Sequence, residues 1–299
     1  MQEETAFKKY LREKTEYVNL SLKKFLPKDN SIISQSMRYS ILAGGKRLRS
    51  ILVILSAELF NKKAQDVIPA ACSVEYLHTY SLVHDDLPSM DNDDIRRGQP
   101  TNHKKFNEVV AILCGDALLT ESFNLILKSN SSSKNINKAI EILSNYSGYK
   151  GMIAGQAEDI LAVNIWRNKN KQFLQRKLKF IQIRKTASLI VASLKIGAVL
   201  ANADKESLKA LEVYGIGVGM AFQIIDDILD VYADKKLLGK EGSDIKNNKL
   251  FTAMSLYGKA EAEKKASEHI KKAKRAISIF NNKSKMFIQF ADYIISRKY

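Results

Sequence analysis

Five aspartates stand close together in one stretch of this chain, residues 84–98, and two arginines follow them. Clustered carboxylates repel one another and resist desolvation, so such a cluster needs cations. Oxygen ligands without cysteine favour a hard cation such as Mg²⁺ over Zn²⁺. Arg96 and Arg97 suit phosphate oxygens, because a planar guanidinium can bind them in a bidentate fashion. The stretch predicts a Mg²⁺–diphosphate site, and a solvated acidic turn is the alternative.

A second acidic cluster lies far downstream, inside an apolar run from Ala221 to Val231. On a helix Asp226 and Asp230 lie one turn apart on the same face, and Gln223 joins that face one turn earlier. A purely structural helix would not place three carboxylates, Asp227 included, in such a run without partners. Two clusters on apolar helices predict two walls of one cavity that hold several metal ions between them. Two unrelated surface clusters are the alternative.

The chain has 299 residues, 45% of them hydrophobic and 27% charged, with a net charge of +16. A basic balance suits nucleic acid, a membrane surface or anionic substrates. No RNA-binding aromatic motif or zinc-finger spacing is present, and the lysines are scattered through helical segments. We therefore interpret them as solvated helix faces and expect no nucleic-acid partner. A basic nucleic-acid binder is the alternative, and a salt-dependent DNA gel shift would reveal it.

The location of the protein is predicted from its cysteines and its apolar segments. Cys72 and Cys114 both lie in apolar helical patterns and are predicted to be buried thiols in a reducing compartment. No apolar run reaches the roughly 18 residues that span a bilayer. The start of the chain, Met1 to Glu4, is acidic and unlike a signal peptide. We expect a soluble cytoplasmic protein without a membrane span.

The fold class is predicted from the distribution of proline and of apolar periodicity. All four prolines lie in the first third, and few segments alternate like strands. These features predict an all-α protein, a single domain over residues 1–299 built as a bundle of about ten or more helices around a deep central cavity. The predicted helices cover about 3–25, 31–43, 47–60, 66–86, 101–128, 136–162, 171–183, 185–201, 204–232, 258–281 and 284–297, with polar loops at 129–135, 167–170 and 234–248.

Taken with their spacing, these motifs resemble those of the trans-isoprenyl diphosphate synthases. The first aspartate-rich motif of that family is matched by residues 85–91 followed by Arg96-Arg97-Gly98, and its second by residues 226–230. The likeness extends from the Gly44-Gly45 motif to the segment 291–295. Within the family the chain most resembles the bacterial farnesyl diphosphate synthases. The resemblance implies the isoprenoid synthase type of helical bundle and a homodimer.

The resemblance also implies how two substrates are held. Gly44-Gly45 precedes three cations in four positions, and glycines let backbone N–H groups approach an anion at a helix start. The resemblance implies that polar residues from several segments bind isopentenyl diphosphate and the allylic diphosphate. The residues implied for isopentenyl diphosphate are Gly45, Lys46, Arg49, His78 and Arg97, and those implied for the allylic diphosphate and its reaction are Arg96, Lys185, Thr186, Gln223, Lys240 and Lys249.

The same resemblance implies the cofactor and the reaction. Mg²⁺ is expected, three ions per active site, with Mn²⁺ as a substitute. Ionisation of the allylic diphosphate and attack by isopentenyl diphosphate would give head-to-tail prenyl transfer without a side-chain nucleophile. The implied metal ligands are Asp85, Asp86, Asp91, Asp226 and Asp230. The implied catalytic residues are Asp85, Asp86, Asp91, Arg96, Lys185, Thr186, Gln223, Asp226, Asp227 and Lys240.

Two departures from the family pattern affect the later lysines. The glycine after Lys240 usually stands one residue further on than Gly242 does here. The family usually has Thr two residues after the last lysine, Lys249, where this chain has Phe251 followed by Thr252. A further element, Gln156 and Asp159, matches the family's Gly-Gln-x-x-Asp.

The length of the product is predicted from residues before the first cluster. Tyr80 lies five residues before Asp85, about 7.5 Å deeper at ~1.5 Å rise per residue. Ser81, four residues before, is small. By resemblance Tyr80 forms a floor under a C15 product, farnesyl diphosphate, although by helical angle alone it stands well off the Asp85 face.

Other functions remain as alternatives to that product. Geranylgeranyl diphosphate synthesis within the same family is the first. A terpene cyclase usually carries an Asn/Ser/Glu metal motif in place of the second cluster, and a non-catalytic partner subunit usually lacks one or both clusters. The presence of Asp85 and Asp226 with their neighbours argues against both.

Overall fold

The computed structural model describes residues 5–165, 169–238 and 251–297. The described chain is helical apart from short connections and one two-stranded hairpin, so the all-α prediction is confirmed. It divides into two compact units, each built from two segments: residues 1–143 with 193–204, and residues 144–192 with 205–299. The single domain over residues 1–299 stays a prediction.

The first unit is organised around α4 (Ala64–Asp85), which packs against α6 (Glu108–Leu127) and α3 (Leu48–Leu59). Both faces of α4 are buried from Val67 to Tyr80, because this helix has other helices on more than one side. Its last residue is Asp85, so the core helix ends where the acidic stretch begins. The elements are α1 Ala6–Phe25, α2 Ile32–Leu42, α3 Leu48–Leu59, α4 Ala64–Asp85, β1 Ile95–Arg96, β2 Gln99–Pro100, α5 Asn102–Lys105, α6 Glu108–Leu127, most of α7 Ser133–Ser147 and most of α10 Ser188–Leu200.

The second unit is organised around the long helix α11 (Lys205–Leu238), which packs against α13 (Lys259–Ile277) and against a π-helical turn (Gln182–Ala187). The buried face of α11 includes Tyr214, whose hydroxyl donates at 2.7 Å to the carbonyl of Phe287 in the last helix, α14 (Lys285–Ser296). This contact joins the last helix to the middle of α11. The elements are α8 Met152–Ile165, α9 Lys171–Ile181, the π turn Gln182–Ala187, α11 Lys205–Leu238, α12 Ala253–Tyr257, α13 Lys259–Ile277, a 3₁₀ segment Ser278–Ser284 and α14 Lys285–Ser296.

Several predicted helix boundaries differ from the structure. The helix expected from 101 to 128 is two helices, because Asn107 adopts φ 141° and its side chain accepts from the Val110 N–H at 2.9 Å, which starts α6 anew. The helix expected over about 136–162, interrupted or tightly packed around Gly148, Gly151 and Gly155, is broken between Ser147 and Met152, which confirms that expectation. The helices expected over 171–183 and 185–201 are continuous through the π turn. Helix α11 extends to Leu238, into the predicted loop 234–248.

A small antiparallel hairpin was not predicted. Its strands pair Ile95 with Pro100 and Arg96 with Gln99. The two turn residues, Arg97 and Gly98, have φ of 53° and 75°. Positive φ at both central positions is the signature of the type I′ turn that suits a two-residue hairpin. The hairpin therefore carries both arginines of the acidic stretch, Arg96 in its first strand and Arg97 in its turn.

Two helices within the described chain are long and apolar enough to cross a membrane by length and composition alone, Glu108–Leu127 and Lys205–Val231. The sequence predicted no such segment. About 39% of the first window and 56% of the second are buried within the protein. A core helix of a soluble protein meets the same criteria, and each of these helices packs along another helix of its own unit.

Candidate active site

The first aspartate cluster sits on a loop that folds back onto the end of α4. The N–H of Asp91 donates to the carbonyl of Asp85 at 2.9 Å, and the N–H of Asn92 donates to the carbonyl of Leu87 at 3.1 Å. Asn92 has φ 55°, in the left-handed region that tight turns require. Asp85 is half-buried and Asp91 is exposed. The fold therefore brings the backbones of these two predicted metal ligands together at the end of α4.

Asp86 has a different environment from its neighbours, since it is buried and paired with Arg96. The guanidinium contacts the carboxylate through Nε at 2.6 Å and through a second nitrogen at 2.5 Å. Arg96 also reaches Asp93 at 3.2 Å. Burial raises the pKa of Asp86, and the hydrogen bond and charge of Arg96 oppose that rise. A cavity beside this pair is lined in part by Thr79 and Arg97.

The residues predicted to hold isopentenyl diphosphate lie together in the first unit. Arg97 donates to the carbonyl of Gly44. A side chain at Gly45, whose φ is 138°, would meet the Arg97 guanidinium at 3.1 Å, so glycine allows this close approach. Lys46 is exposed beside it. The first helical N–H groups of α3 receive no side-chain cap, which suits an anion at this helix start.

Arg49 and His78 complete this basic patch. A terminal nitrogen of Arg49 lies 3.4 Å from Nε2 of His78. Burial, and next the charge of Arg49, lower the pKa of His78 well below its usual value. His78 is therefore neutral at pH 7 and offers a hydrogen bond rather than a charge. The predicted grouping of Gly45, Lys46, Arg49, His78 and Arg97 is what the fold brings together.

The Gly-Gly motif also contains one arginine that serves the fold. Arg47 points inward, where its nitrogens bind Oε1 of Glu75 at 2.7 Å, the carbonyl of Ile41 at 2.6 Å and Oδ1 of Asn19 at 2.9 Å. The side chains of Arg47 and Glu75 are only 1% and 2% exposed. The three cations of the motif therefore divide into one structural residue and two that face the patch.

In the second unit, a chain of side-chain hydrogen bonds connects the π turn with α11. The hydroxyl of Thr186 donates to Oε1 of Gln223 at 2.5 Å, and Nε2 of Gln223 donates to Asp227 at 2.9 Å. The second oxygen of Asp227 accepts from the Ala253 N–H at 2.8 Å. Burial raises the pKa of Asp227 to about 7, although the hydrogen bonds from Gln223 and Ala253 lower it. This network fixes Gln223 and Asp227 in place.

Lys185 is positioned by the same π turn. Its Nζ contacts Asp159 of α8 at 2.6 Å. A side chain at Gly155 would lie 2.1 Å from the Lys185 backbone nitrogen, so the close packing of α8 on the turn requires glycine. The sequence placed Lys185 and Thr186 near a helix start, whereas they lie within a continuous helix. Single π turns inside α-helices are frequent at functional sites, because they reorient successive side chains.

The two remaining carboxylates of the second cluster follow along α11. Asp226 is half-buried and Asp230 is exposed one turn further. Asp226 is bound at 2.9 Å by Arg297, a residue near the end of the chain that the sequence analysis did not select. Its only sequence signal is a basic residue after an apolar helical pattern. The predicted substrate lysines Lys240 and Lys249 lie outside the described residues.

The residues predicted to set product length lie on α4, in the first unit. Tyr80 is buried and packs edge-to-face against His84, with ring centroids 5.6 Å apart. Burial, and then the charge of Asp85, raise the pKa of Tyr80 to about 12, so the phenol is neutral at pH 7. The hydroxyl of Ser81 donates to the carbonyl of His78 at 2.9 Å.

The carboxylates of the two aspartate clusters suit a metal ion that binds together with a diphosphate. Within the described residues, no three side chains of His, Cys, Asp or Glu meet as a ready-made metal cluster. Mg²⁺ is usually bound through one or two carboxylates, with waters and substrate phosphates as the other ligands. The donor set of Asp85 and Asp91, and of Asp226 and Asp230, is oxygen alone and suits that chemistry.

Comparison with known proteins identifies the class. The sequence pattern of the family described as polyprenyl synthetase matches residues 30–285. The chain belongs to this family. Its identification from the two aspartate motifs is therefore confirmed, as is the helical fold that the family implies.

Three relatives illustrate the similarity. A farnesyl diphosphate synthase of Bacillus subtilis is 41% identical over 269 residues, 89% of this chain and 88% of that protein. A geranylgeranyl diphosphate synthase of Cyanophora paradoxa is 40% identical, over 96% of this chain and 95% of the other. The crystal structure of an FPP/GFPP synthase of Zymomonas mobilis has a TM-score of 0.84 at 30% identity and covers 97% of this chain and 99% of its own.

Proposed function

We propose that this protein is a Mg²⁺-dependent short-chain trans-prenyltransferase that condenses isopentenyl diphosphate with dimethylallyl and geranyl diphosphates to give farnesyl diphosphate. The prediction of a prenyltransferase is confirmed by the family match and its relatives. One observation carries the proposal: both aspartate clusters are present in a chain that matches the family over residues 30–285. A cytoplasmic location and a homodimer are part of the same proposal.

In the proposed reaction the side chains bind and orient the two substrates and help to neutralise the charge of the leaving diphosphate. Mg²⁺ bound with the diphosphate supplies charge neutralisation for the leaving group. Asp85, Asp91 and Asp226 would hold it, and Arg96 and Lys185 would bind diphosphate oxygens of the allylic substrate. The carbon–oxygen bond breaks, the double bond of isopentenyl diphosphate attacks C1 of the allylic cation, and a proton leaves with the released diphosphate. Gln223, held by its hydrogen bonds, would face the cation.

Arg96 must exchange partners in this scheme. It now neutralises Asp86 and Asp93 at the edge of the first cluster. A diphosphate offers oxygens of higher charge than a carboxylate, so the guanidinium can turn from Asp86 and Asp93 to the substrate, and Mg²⁺ bound with the diphosphate would then supply positive charge to the aspartates. The proposal therefore gives Asp86 its cation in both states.

A test of the proposed function uses the wild-type protein with Mg²⁺. It is incubated with isopentenyl diphosphate and, separately, with dimethylallyl, geranyl or farnesyl diphosphate, and the products are sized by chromatography. We expect elongation of the first two starters to C15 and little elongation of the third. Failure to elongate any starter would overturn the proposal.

Geranylgeranyl diphosphate synthesis is the second candidate. It is favoured by the relative from Cyanophora paradoxa, which matches this chain at 40% identity and carries that name. In the same assay it would give a C20 product from every starter. A terpene cyclase or a non-catalytic partner subunit is disfavoured, because this chain has all three carboxylates of the second cluster.

Lys46 is expected to serve isopentenyl diphosphate. It is exposed beside Gly45 and Arg97, at the uncapped start of α3. Loss of one hydrogen bond to a charged group costs about 1.5–3 kcal/mol, so Lys46→Ala should raise the KM for isopentenyl diphosphate by roughly 10- to 100-fold. Steady-state kinetics with each substrate varied in turn measures the effect.

The control for Lys46 is Lys23→Ala, an exposed lysine in the last turn of α1, which should leave both KM values unchanged. An increase confined to the allylic substrate in Lys46→Ala would show that the two diphosphate sites are assigned the wrong way round.

Tyr80 is expected to stop the growing chain at C15. Its ring is buried and packed against His84, so Tyr80→Ala removes a large side chain from the interior of the first unit. We expect the product from isopentenyl and dimethylallyl diphosphates to shift from C15 to C20 or longer. Tyr80→Phe keeps the ring and should still stop at C15. An active Tyr80→Ala variant that also stops at C15 would show that another residue sets the length.

A further inference from the structure

The last described residue, Arg297, makes an unusually complete set of contacts for a residue near a chain end. It follows α14, and its backbone leaves the helix there with φ −59° and ψ 128°. Its side chain is only 6% exposed. Burial of an arginine is costly unless its charge and its N–H groups are paired. The contacts of Arg297 therefore show which groups offset the cost of burying its side chain.

Each type of nitrogen in the Arg297 guanidinium has its own partner within the second unit. One terminal nitrogen lies 2.9 Å from Oδ1 of Asp226. The other donates to the carbonyl of Phe222 at 3.2 Å, and Nε donates to the carbonyl of Ile294 at 3.2 Å. The guanidinium also lies over the Phe222 ring, 4.0 Å from its centroid. A lysine has no planar fork and could not make all of these contacts at once.

We infer that Arg297 is the resident counterion of the second aspartate cluster and that it competes with Mg²⁺ for Asp226. Its guanidinium occupies one oxygen of a carboxylate that the proposed function assigns to the metal, and it adds a positive charge beside that oxygen. Mg²⁺ must displace this contact to bind Asp226 there. The inference rests on the proposed function for the role of Asp226, and it adds a residue that sets metal affinity.

This arrangement gives the C-terminal helix a direct effect on the metal site. With no metal present, Arg297 neutralises Asp226 and ties the end of α14 to the middle of α11. When metal and diphosphate bind, the guanidinium is released from Asp226 while its bonds to the Phe222 and Ile294 carbonyls can remain. Arg297 is thus a positioning residue, since it acts through the carboxylate and not on the reacting atoms.

The test measures Mg²⁺ binding by isothermal titration calorimetry on the full-length protein with inorganic diphosphate and without prenyl substrate. Arg297→Gln removes the charge, and we expect it to tighten Mg²⁺ binding by about tenfold, the scale of one charge-assisted hydrogen bond. Arg297→Lys restores the charge and should return the binding constant toward the wild-type value. The same order is expected for the Mg²⁺ concentration that gives half-maximal activity.

The matched control is Lys274→Gln. Lys274 of α13 binds Asp292 of α14 at 2.5 Å, so this variant also removes an ion pair from the C-terminal helix, but on the exposed surface. It should leave Mg²⁺ affinity unchanged. Unchanged or weaker Mg²⁺ binding in Arg297→Gln, with a folded protein by circular dichroism, would overturn the inference.

Different results would contradict the proposed function and the counterion role of Arg297. If the wild type makes farnesyl diphosphate while Arg297→Gln binds Mg²⁺ as the wild type does, only the role of Arg297 is wrong. If Arg297→Gln binds Mg²⁺ more tightly but the wild type elongates no allylic starter, the counterion role holds and the proposed function is wrong.

Discussion

Asp85→Ala and Asp226→Ala are each expected to reduce turnover by at least ~100-fold, while the protein stays folded. The proposal assigns both carboxylates to Mg²⁺, which contributes several kcal/mol of charge stabilisation to a leaving group, and each ~1.4 kcal/mol is tenfold in rate. Neither residue is fully buried and each lies among other carboxylates, but Asp226→Ala also removes the ion-pair partner of the largely buried Arg297, so circular dichroism is used to check that both variants are folded. Single-turnover kinetics at saturating Mg²⁺ measures the chemical step.

The control for these variants is Asp94→Ala. Asp94 belongs to the same acidic stretch, but it is exposed and pairs with Lys104 at 2.9 Å. It should retain near-normal turnover. Near-normal activity in either Asp85→Ala or Asp226→Ala, with Mg²⁺ present, would contradict the assignment of metal to both clusters.

Arg47→Leu is expected to destabilise the protein by about 3–5 kcal/mol, because it leaves the Glu75 carboxylate buried without its counterion. Ser50 remains as a neutral partner of Glu75 at 3.2 Å, which cannot replace a charge. Unfolding in urea, followed by circular dichroism, gives the free energy of unfolding. Replacement of an exposed partner should cost far less, so Lys138→Met, which removes the contact with Glu141, is expected within ~1 kcal/mol of the wild type.

The double variant Arg47→Leu/Glu75→Leu identifies the cause of that loss. It removes both charges from the interior, and replacement of a buried pair by apolar residues is often neutral or stabilising. We therefore expect it to be more stable than Arg47→Leu alone. Equal instability of the single and double variants would show that the contacts to Ile41 and Asn19, not the charge on Glu75, account for the effect.

Long helices rich in apolar residues were predicted well from the sequence. The prediction of about 66–86 for α4 compares with Ala64–Asp85, and the first aspartate follows from that boundary. The breaks were less predictable, because they depend on backbone conformations that single residues adopt in context. Asn107 at φ 141° and the turn of Arg97 with Gly98 are two examples. Propensity alone does not favour a positive φ at an arginine.

The residues of the candidate site likewise divide into those that could be predicted from the sequence and those that could not. Residue type and spacing were sufficient to select the aspartates, Arg96 and Gln223. They did not distinguish Arg47 from Arg49, because the direction of each side chain depends on what α3 packs against. They also did not predict the π turn that carries Lys185 and Thr186, which lies where α8 approaches closely at Gly155.

Contacts between residues far apart in the chain could not be predicted from the sequence alone. Arg297 is separated from Asp226 by more than two helices in the chain, and no local pattern connects them. Their proximity comes from the packing of α14 along α11, in which Tyr214 meets Phe287. Such pairs follow from tertiary structure and not from motifs.

The most direct test of the central claim is diffraction from crystals soaked with Mn²⁺, inorganic diphosphate and isopentenyl diphosphate, with data recorded at the manganese absorption edge. Mn²⁺ substitutes for Mg²⁺ at oxygen ligands and gives an anomalous signal that locates each ion. We predict anomalous peaks for Mn²⁺ ions that are bound by Asp85 or Asp91 and by Asp226, with all of these ions in contact with one diphosphate. Peaks at only one cluster, or two sets of ions that share no diphosphate, would contradict it.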